Sequence, residues 1–273
     1  KSEDLGDNDS VTVDSVNSLW VDDDFSVRNR YVSLMQKDFD ALVTTLSFGD
    51  PATVKAINNW CSEHTNGKIN EIIDELSPND VMVLVNALYF KAPWLDPFEP
   101  GMTSTARFNG SLGVSDVKMM SRKAYMNYAE YKGCQLVELP YEGGRYSMYV
   151  LLPPQDIDIN ELISYLSKDA YETAIKSLQS TEVLLRMPKA KVETSLLLNA
   201  SLQKMGIRTA FTGAADFKGI SEMGPLSLGL VKQKCYVEIS EKGTEAAAVT
   251  SAQIRMTSAR PPQYVRMTVD RPY

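Results

Sequence analysis

Apolar residues first take up a regular period after Ser26, where Val27, Tyr31, Leu34, Met35, Leu42 and Val43 fall at helical spacings and predict an amphipathic helix. Asp24 or Ser26 is placed to cap its first free amides. Upstream, Asp4, Asp7, Asp9 and Asp14 lie among Ser, Gly and Asn with no apolar period, so the first fifteen residues read as a loop or frayed start. Ordered structure is expected from about Val16. A second helix follows Pro51, with Val54, Ile57, Asn58 and Cys61 on one side, and stops at Asn66-Gly67, where glycine can take the left-handed terminating conformation. After Pro78 the period changes: Val81 to Phe90 is apolar on both parities, as in a strand buried on both faces. Alternating or apolar runs recur at Lys118 to Tyr128, Cys134 to Tyr141, Tyr146 to Leu152 and Glu182 to Lys191, and Glu142-Gly143-Gly144 joins the middle two as a hairpin. Helices return at about Ile159 to Leu166, Ala170 to Ser177 and Ser195 to Met205, the last closed by Gly206, and Leu226 to Ser240 reads as one long strand. With no regular βαβ alternation and no internal repeat, this order predicts an α+β fold with large mixed sheets.

Composition narrows the function more than the fold. The 273 residues are 44% hydrophobic and 23% charged, enough for a sizeable core and unlike disordered, collagenous or coiled-coil chains. Asp plus Glu outnumber Lys plus Arg by 35 to 28, and the formal charge of -7 opposes nucleic acid as a partner. The apolar runs stop far short of the roughly 20 residues a membrane helix needs. One histidine, His64, and three cysteines, Cys61, Cys134 and Cys235, show no metal-site or redox spacing, so neither a metal nor a cofactor is expected. His64 lies three residues after Cys61 but lacks a third group to make a thiol dyad, and Cys134 and Cys235 read as buried small hydrophobes. Trp20, Trp60 and Trp94 read as core or sheet-edge packing, Lys189 and Lys191 as a solvated strand face, and Asp22-Asp23-Asp24 as a helix-start cap.

One stretch fits none of these elements. Counted alternately from Thr244, one face reads Thr244, Ala246, Ala248, Thr250, Ala252, Ile254 and Met256, all small or apolar, and the other reads Glu245, Ala247, Val249, Ser251, Gln253 and Arg255. That is the two-residue period of a half-buried strand. Small side chains suit a strand threaded between existing neighbours, and Gly243 offers the backbone a pivot. Pro261-Pro262 marks an exposed connection, so the segment is written both as a loop and as an insertable strand. An Ala-rich surface helix over Glu245 to Ala248 is the plain alternative.

The neighbouring residues favour the first reading, because Glu241-Lys-Gly-Thr-Glu-Ala-Ala-Ala248 resembles the reactive-loop hinge of serpins. Further pieces follow in family order: Val16-Asn-Ser-Leu-Trp-Val21, Ile57-Asn-Asn-Trp60 through Thr65-Asn-Gly-Lys-Ile69, and Asn86-Ala-Leu-Tyr-Phe-Lys91 with Trp94. Phe98, Thr103, Phe108, Met119-Met120, Leu139-Pro-Tyr141, Leu151-Leu-Pro153, Phe217-Lys-Gly-Ile-Ser221 and Asp270-Arg-Pro-Tyr273 continue the series.

The resemblance implies a single α+β domain over residues 1–273, incomplete at both ends, with a large central mixed sheet and an exposed reactive loop at about 241–262. It implies a suicide-substrate inhibitor of serine proteases, without catalytic residues of its own: the loop is cleaved, the acyl-enzyme is trapped, and the loop inserts as a new central strand. The hinge is Glu241, Gly243, Thr244, Glu245, Ala246, Ala247 and Ala248. By family analogy the cut lies seventeen residues into the loop, counting Glu241 as the first, which places it between Thr257 and Ser258. Ile254, Arg255 and Met256 flank it, and a shift of one or two residues would move the bond to Met256-Thr257 or Arg255-Met256. Threonine suits elastase-like or subtilisin-like targets, with trypsin-like and cysteine proteases as alternatives. Asn86, Trp94 and Gln233 are implied in sheet opening. Gln233 stands where the family usually has a histidine bonded to the asparagine of the neighbouring strand, so sheet opening should lack a histidine-like pH dependence. A monomer is expected, in an extracellular or cell-surface setting, with the cytoplasm as the alternative. The rival function is a non-inhibitory carrier, chaperone or storage protein. No charged or bulky residue stands at position 244 and no proline falls within 244 to 252, which favours the inhibitor.

Overall fold

Strand β1 (Thr12–Asp22), helix α1 (Asn29–Phe39) and strand β2 (Ala41–Leu46) form a parallel crossover, with Asn17 opposite Ala41 and Asp22 opposite Leu46. The computed structural model describes residues 11–77, 79–229, 231–244 and 264–273. β1 therefore begins upstream of Val16, ahead of the point where the apolar pattern becomes regular. Leu19 and Val21 of β1 pack with Met35 of α1 and Ala41. The chain leaves α1 earlier than its apolar period predicts. Asp40 takes a left-handed conformation with φ of 48°, and Leu42 and Val43 belong to β2, where Val43, Thr44 and Thr45 have the branched side chains that strands accommodate. Neither Asp24 nor Ser26 caps α1. Its N-cap is Arg28, without a side-chain cap, and Asp22 instead accepts the amides of Asp24 at 3.1 Å and Phe48 at 2.8 Å. The aspartate run thus secures a turn rather than a helix start.

Helix α2 (Ala52–His64) buries Ile57 and Cys61 in a cluster with Trp20, Ile69, Ile72 and Val85. It ends where the sequence indicates: Asn66 and Gly67 both have positive φ, and the Gly67 amide donates to the Ser62 carbonyl at 2.8 Å.

The chain continues through β3 (Met82–Pro93), β4 (Ser104–Gly110), β5 (Gly113–Tyr131), β6 (Cys134–Pro140) and β7 (Ser147–Leu152). Helices α3 (Ile159–Tyr165) and α4 (Lys168–Lys176) precede β8 (Gln179–Pro188) and β9 (Ala190–Leu197). Helix α5 (Asn199–Lys204), β10 (Lys232–Ser240), β11 (Gly243–Thr244) and β12 (Val265–Thr268) complete the order. Three expected elements shift. Glu182 to Lys191 is two strands, because Pro188 ends β8 and the Lys189 amide turns to the Lys118 carbonyl at 2.8 Å. Ser195 to Leu197 belong to β9, and α5 starts only at Asn199, whose carboxamide holds Gly229 and Val231. Of the stretch from Leu226, only Lys232–Ser240 is strand.

Two mixed sheets result, ordered β2-β1-β3-β11-β10-β9 and β12-β8-β5-β6-β7, with β4 pairing the start of β5. The fold is α+β as the order of elements predicts. The chain divides into two compact units, one of Thr12–Phe90 with Val192–Val237 and one of Lys91–Lys191 with Glu238–Tyr273. The core of the second comes from Met119, Met120, Leu139, Leu152, Leu185, Met187 and Met267, each nearly free of solvent. The β6–β7 hairpin closes over Glu142 to Gly144, with Gly143 and Gly144 at positive φ. Among the described residues no helix is long and apolar enough to cross a membrane.

Candidate functional site

At Ser240 the chain leaves β10, reverses over Glu241 and Lys242, and returns as the two residues of β11. Gly243 and Thr244 are paired on both sides: with Ser240 and Ile239 of β10, and with Pro93 and Ala92 of β3, antiparallel to each. Only glycine suits the first position. Gly243 has φ of 148°, and a Cβ there would collide with the Ala92 carbonyl oxygen and stand 2.6 Å from the Pro93 Cα.

The turn is held by its carbonyls. Trp94 Nε1 donates to Ser240 O at 3.0 Å, the Trp94 amide to Lys242 O at 2.9 Å and the Phe98 amide to Glu241 O at 2.7 Å. Trp94 in turn stacks on Tyr141, with ring centroids 4.6 Å apart and an 11° interplanar angle. The Tyr141 hydroxyl lies 2.8 Å from the hydroxyl of Thr244, which is only 4% exposed. Burial pushes the Tyr141 phenol up to about 12, against the opposing effect of the Thr244 bond, so it stays neutral across the physiological range.

Glu241 carries the charge of the site. Its carboxylate pairs with Lys189 Nζ at 2.7 Å and accepts from Thr103 Oγ1 at 2.9 Å. Burial alone would raise this carboxyl, but hydrogen bonds from Lys189, its own amide and Thr103, with the Lys189 charge, hold it below the ordinary value. A carboxyl lowered on folding stabilises fully above its unfolded pKa of about 4.3, and that contribution is lost as pH falls through the lower folded value. Glu241→Gln should therefore cost about 1 kcal/mol at neutral pH, discounted because Lys189 is partly exposed. The gap between the two proteins should close in acid. Urea unfolding at several pH values measures this; a gap of equal size at both ends would remove the ion pair as its source.

Of the residues nominated from the sequence, Glu241, Gly243, Thr244 and Trp94 come together here. Asn86 and Gln233 do not bond each other: Asn86 Nδ2 donates to Asn17 Oδ1 at 2.9 Å, a carboxamide on the flanking strand β1. Glu245, Ala246, Ala247, Ala248, Ile254, Arg255, Met256, Thr257 and Ser258 lie outside the described residues. Sequence reasoning missed Lys189, read as a solvated strand face, and gave no role to Thr103 or Tyr141. Their partners are 52, 138 and 103 residues away, so no local pattern marks them. Cys61 and His64 make no dyad. Burial pushes the Cys61 thiol up to about 11, while His64 stacks on Trp60 and donates from Nδ1 to the Trp60 carbonyl. The three cysteines are free; Cys61 and Cys134 are buried and Cys235 is partly exposed.

A family model described as Serpin (serine protease inhibitor) matches residues 2–273. The chain belongs to the serpin family. An uncharacterized serpin-like protein of Thermococcus kodakarensis is 35% identical over 246 residues, covering 89% of this serpin and 57% of that protein. Intracellular coagulation inhibitor 2 of Tachypleus tridentatus is 33% identical over 249 residues, covering 89% and 61% respectively. The native crystal structure of the thermophilic serpin tengpin matches with a TM-score of 0.88 at 29% identity, over 98% of this chain and 70% of that one. This serpin chain thus spans about three fifths of the length of the two relatives, and the strands that carry β11 belong to the serpin fold.

Proposed function

We propose that this chain is part of an inhibitor that captures serine proteases as a suicide substrate, with residues 241–262 as the reactive loop of a single domain. The observation that carries the reading is β11, two residues of the hinge already paired between the ends of β3 and β10. Continuing that antiparallel register, the sixth residue beyond Thr244 is Thr250, which would face Asn86 on β3 and Gln233 on β10. The tenth is Ile254, opposite Met82, where β3 begins. β3 is thus long enough to receive the segment that ends just before the proposed reactive bond. The face continuing from buried Thr244 is Ala246, Ala248, Thr250, Ala252 and Ile254, which suits a closely packed seat.

Cleavage at Thr257-Ser258 would free the loop, and insertion at about 3.3 Å per residue would move a protease attached to Thr257 roughly 40 Å along the sheet from the pivot. New ladder hydrogen bonds and apolar burial favour the inserted state. Elastase-like and subtilisin-like enzymes are the first targets, and cuts at Met256-Thr257 or Arg255-Met256 would redirect specificity. The name of the Tachypleus relative, a coagulation inhibitor, supports inhibition rather than cargo binding. Incubation with elastase, subtilisin and trypsin, followed by a denaturing gel and mass determination, tests this. A denaturation-resistant adduct with a released peptide beginning at Ser258 is expected; cleavage of the loop without any adduct would favour a non-inhibitory serpin.

A further inference from the structure

Arg122 of β5 is a cation that Asp96 attracts without forming an ion pair. Its Nε is shielded from solvent and has no hydrogen-bond partner, its guanidinium lies 5.2 Å from the centre of the Phe98 ring, and no carboxylate of the described residues forms an ion pair with it. Burial draws the group down from its ordinary value, against the pull of Asp96. The adjacent cation differs: Lys123 is paired with Glu182 at 3.1 Å and lies over the Tyr264 ring at 4.4 Å. A guanidinium nitrogen shielded from water and left without a partner is costly.

Both cations line a cavity of about 680 Å³. It is lined by Leu95, Pro97, Met102, Ala124, Leu184 and Tyr264 and also by Asp96 and Glu99, two exposed residues whose charges water and salt screen. The volume falls within the roughly 300–1,000 Å³ of small-molecule sites, which join apolar walls to a few polar anchors.

We propose that this cavity binds a small organic anion, a carboxylate on an apolar body, with the Arg122 fork taking the carboxylate and Leu95, Pro97 and Met102 packing against the body. A planar guanidinium matches a carboxylate through two parallel hydrogen bonds, which ties the charged end to one place. The site stands whether or not the chain inhibits a protease.

Octanoate and 1-octanol, titrated calorimetrically into the whole chain, share a tail and differ in charge. Octanoate should bind at least about tenfold more tightly, the order expected of a charge-assisted hydrogen bond. Arg122→Met should erase that difference, and it removes an unsatisfied charge, so it should fold. Met102→Trp should obstruct both ligands by narrowing the cavity. Equal affinities in the unaltered chain, or octanoate binding untouched by Arg122→Met, would overturn the site. Octanoate binding only after Glu245→Gln would assign the fork to the chain's own carboxylate and overturn it too. If octanoate fails to bind while Arg122→Met slows association with a protease, the fork serves a docked protein and the small-ligand reading fails.

Discussion

Gly243→Ala should lower the unfolding free energy by about 2–4 kcal/mol and release β11 from between its neighbours. Two independent costs meet at this position. With φ of 148° the backbone occupies a region that L side chains rarely adopt, and the new methyl would point into the Ala92 carbonyl and the Pro93 Cα. Neither obstacle is the movable end of a side chain; both are backbone of β3. Relief can come only by shifting β11, which would break the Thr244 to Tyr141 contact and loosen the turn that Trp94 and Phe98 hold. Urea unfolding together with hydrogen exchange at the Thr244 amide reads both effects. Unchanged stability with a protected amide would mean that Gly243 is not seated as described.

Thr244→Arg acts one residue further on and on a different property. Thr244 is 4% exposed and its only described polar partner is the Tyr141 hydroxyl, so an arginine placed there would bury a charge without a carboxylate to meet it. The guanidinium should remain in water and keep the first inserted residue out of the sheet. Under the proposed mechanism a protease would then finish hydrolysis before the loop could move. The ratio of gel-stable complex to cleaved product should fall at least about tenfold, since tenfold corresponds to only 1.4 kcal/mol in the competition between the two rates. An undiminished yield of complex would separate inhibition from insertion at Thr244.

What could be read beforehand follows the range of the interactions. Helix α2 with its Asn66-Gly67 ending and the β6–β7 hairpin are written in spacings of a few residues and form nearly as read, whereas β3 forms where read but is not buried on both faces: Val85 and Ala87 are buried, Leu84 and Asn86 exposed. The misplaced boundaries are those decided by partners at a distance. Leu42 and Val43 continue a helical period, but pairing with β1 takes them into β2. Lys189 looks like any strand lysine until the reversal after Ser240 brings Glu241 to it. The serpin resemblance sets Gln233 opposite Asn86, yet the carboxamide that reaches Asn86 comes from Asn17, on a strand nearly seventy residues earlier. At the hinge, the motif Gly243-Thr244 is visible in the sequence, but the reason for its glycine, the β3 backbone at Ala92 and Pro93, lies about 150 residues away and no local pattern marks it.

The central claim is that the cut loop adds a strand between β3 and β10, and the heat-unfolding midpoint before and after loop cleavage tests it most directly. Ten residues, from Glu245 to Ile254, would pair along β3 as far as Met82, worth about 10 kcal/mol at roughly 1 kcal/mol per hydrogen bond. For a chain of this size that corresponds to a rise on the order of tens of degrees. A midpoint that climbs by this amount on nicking with a protease, with the fragments still associated, is the predicted result. A midpoint that stays the same or falls, as nicking an ordinary surface loop would give, contradicts insertion.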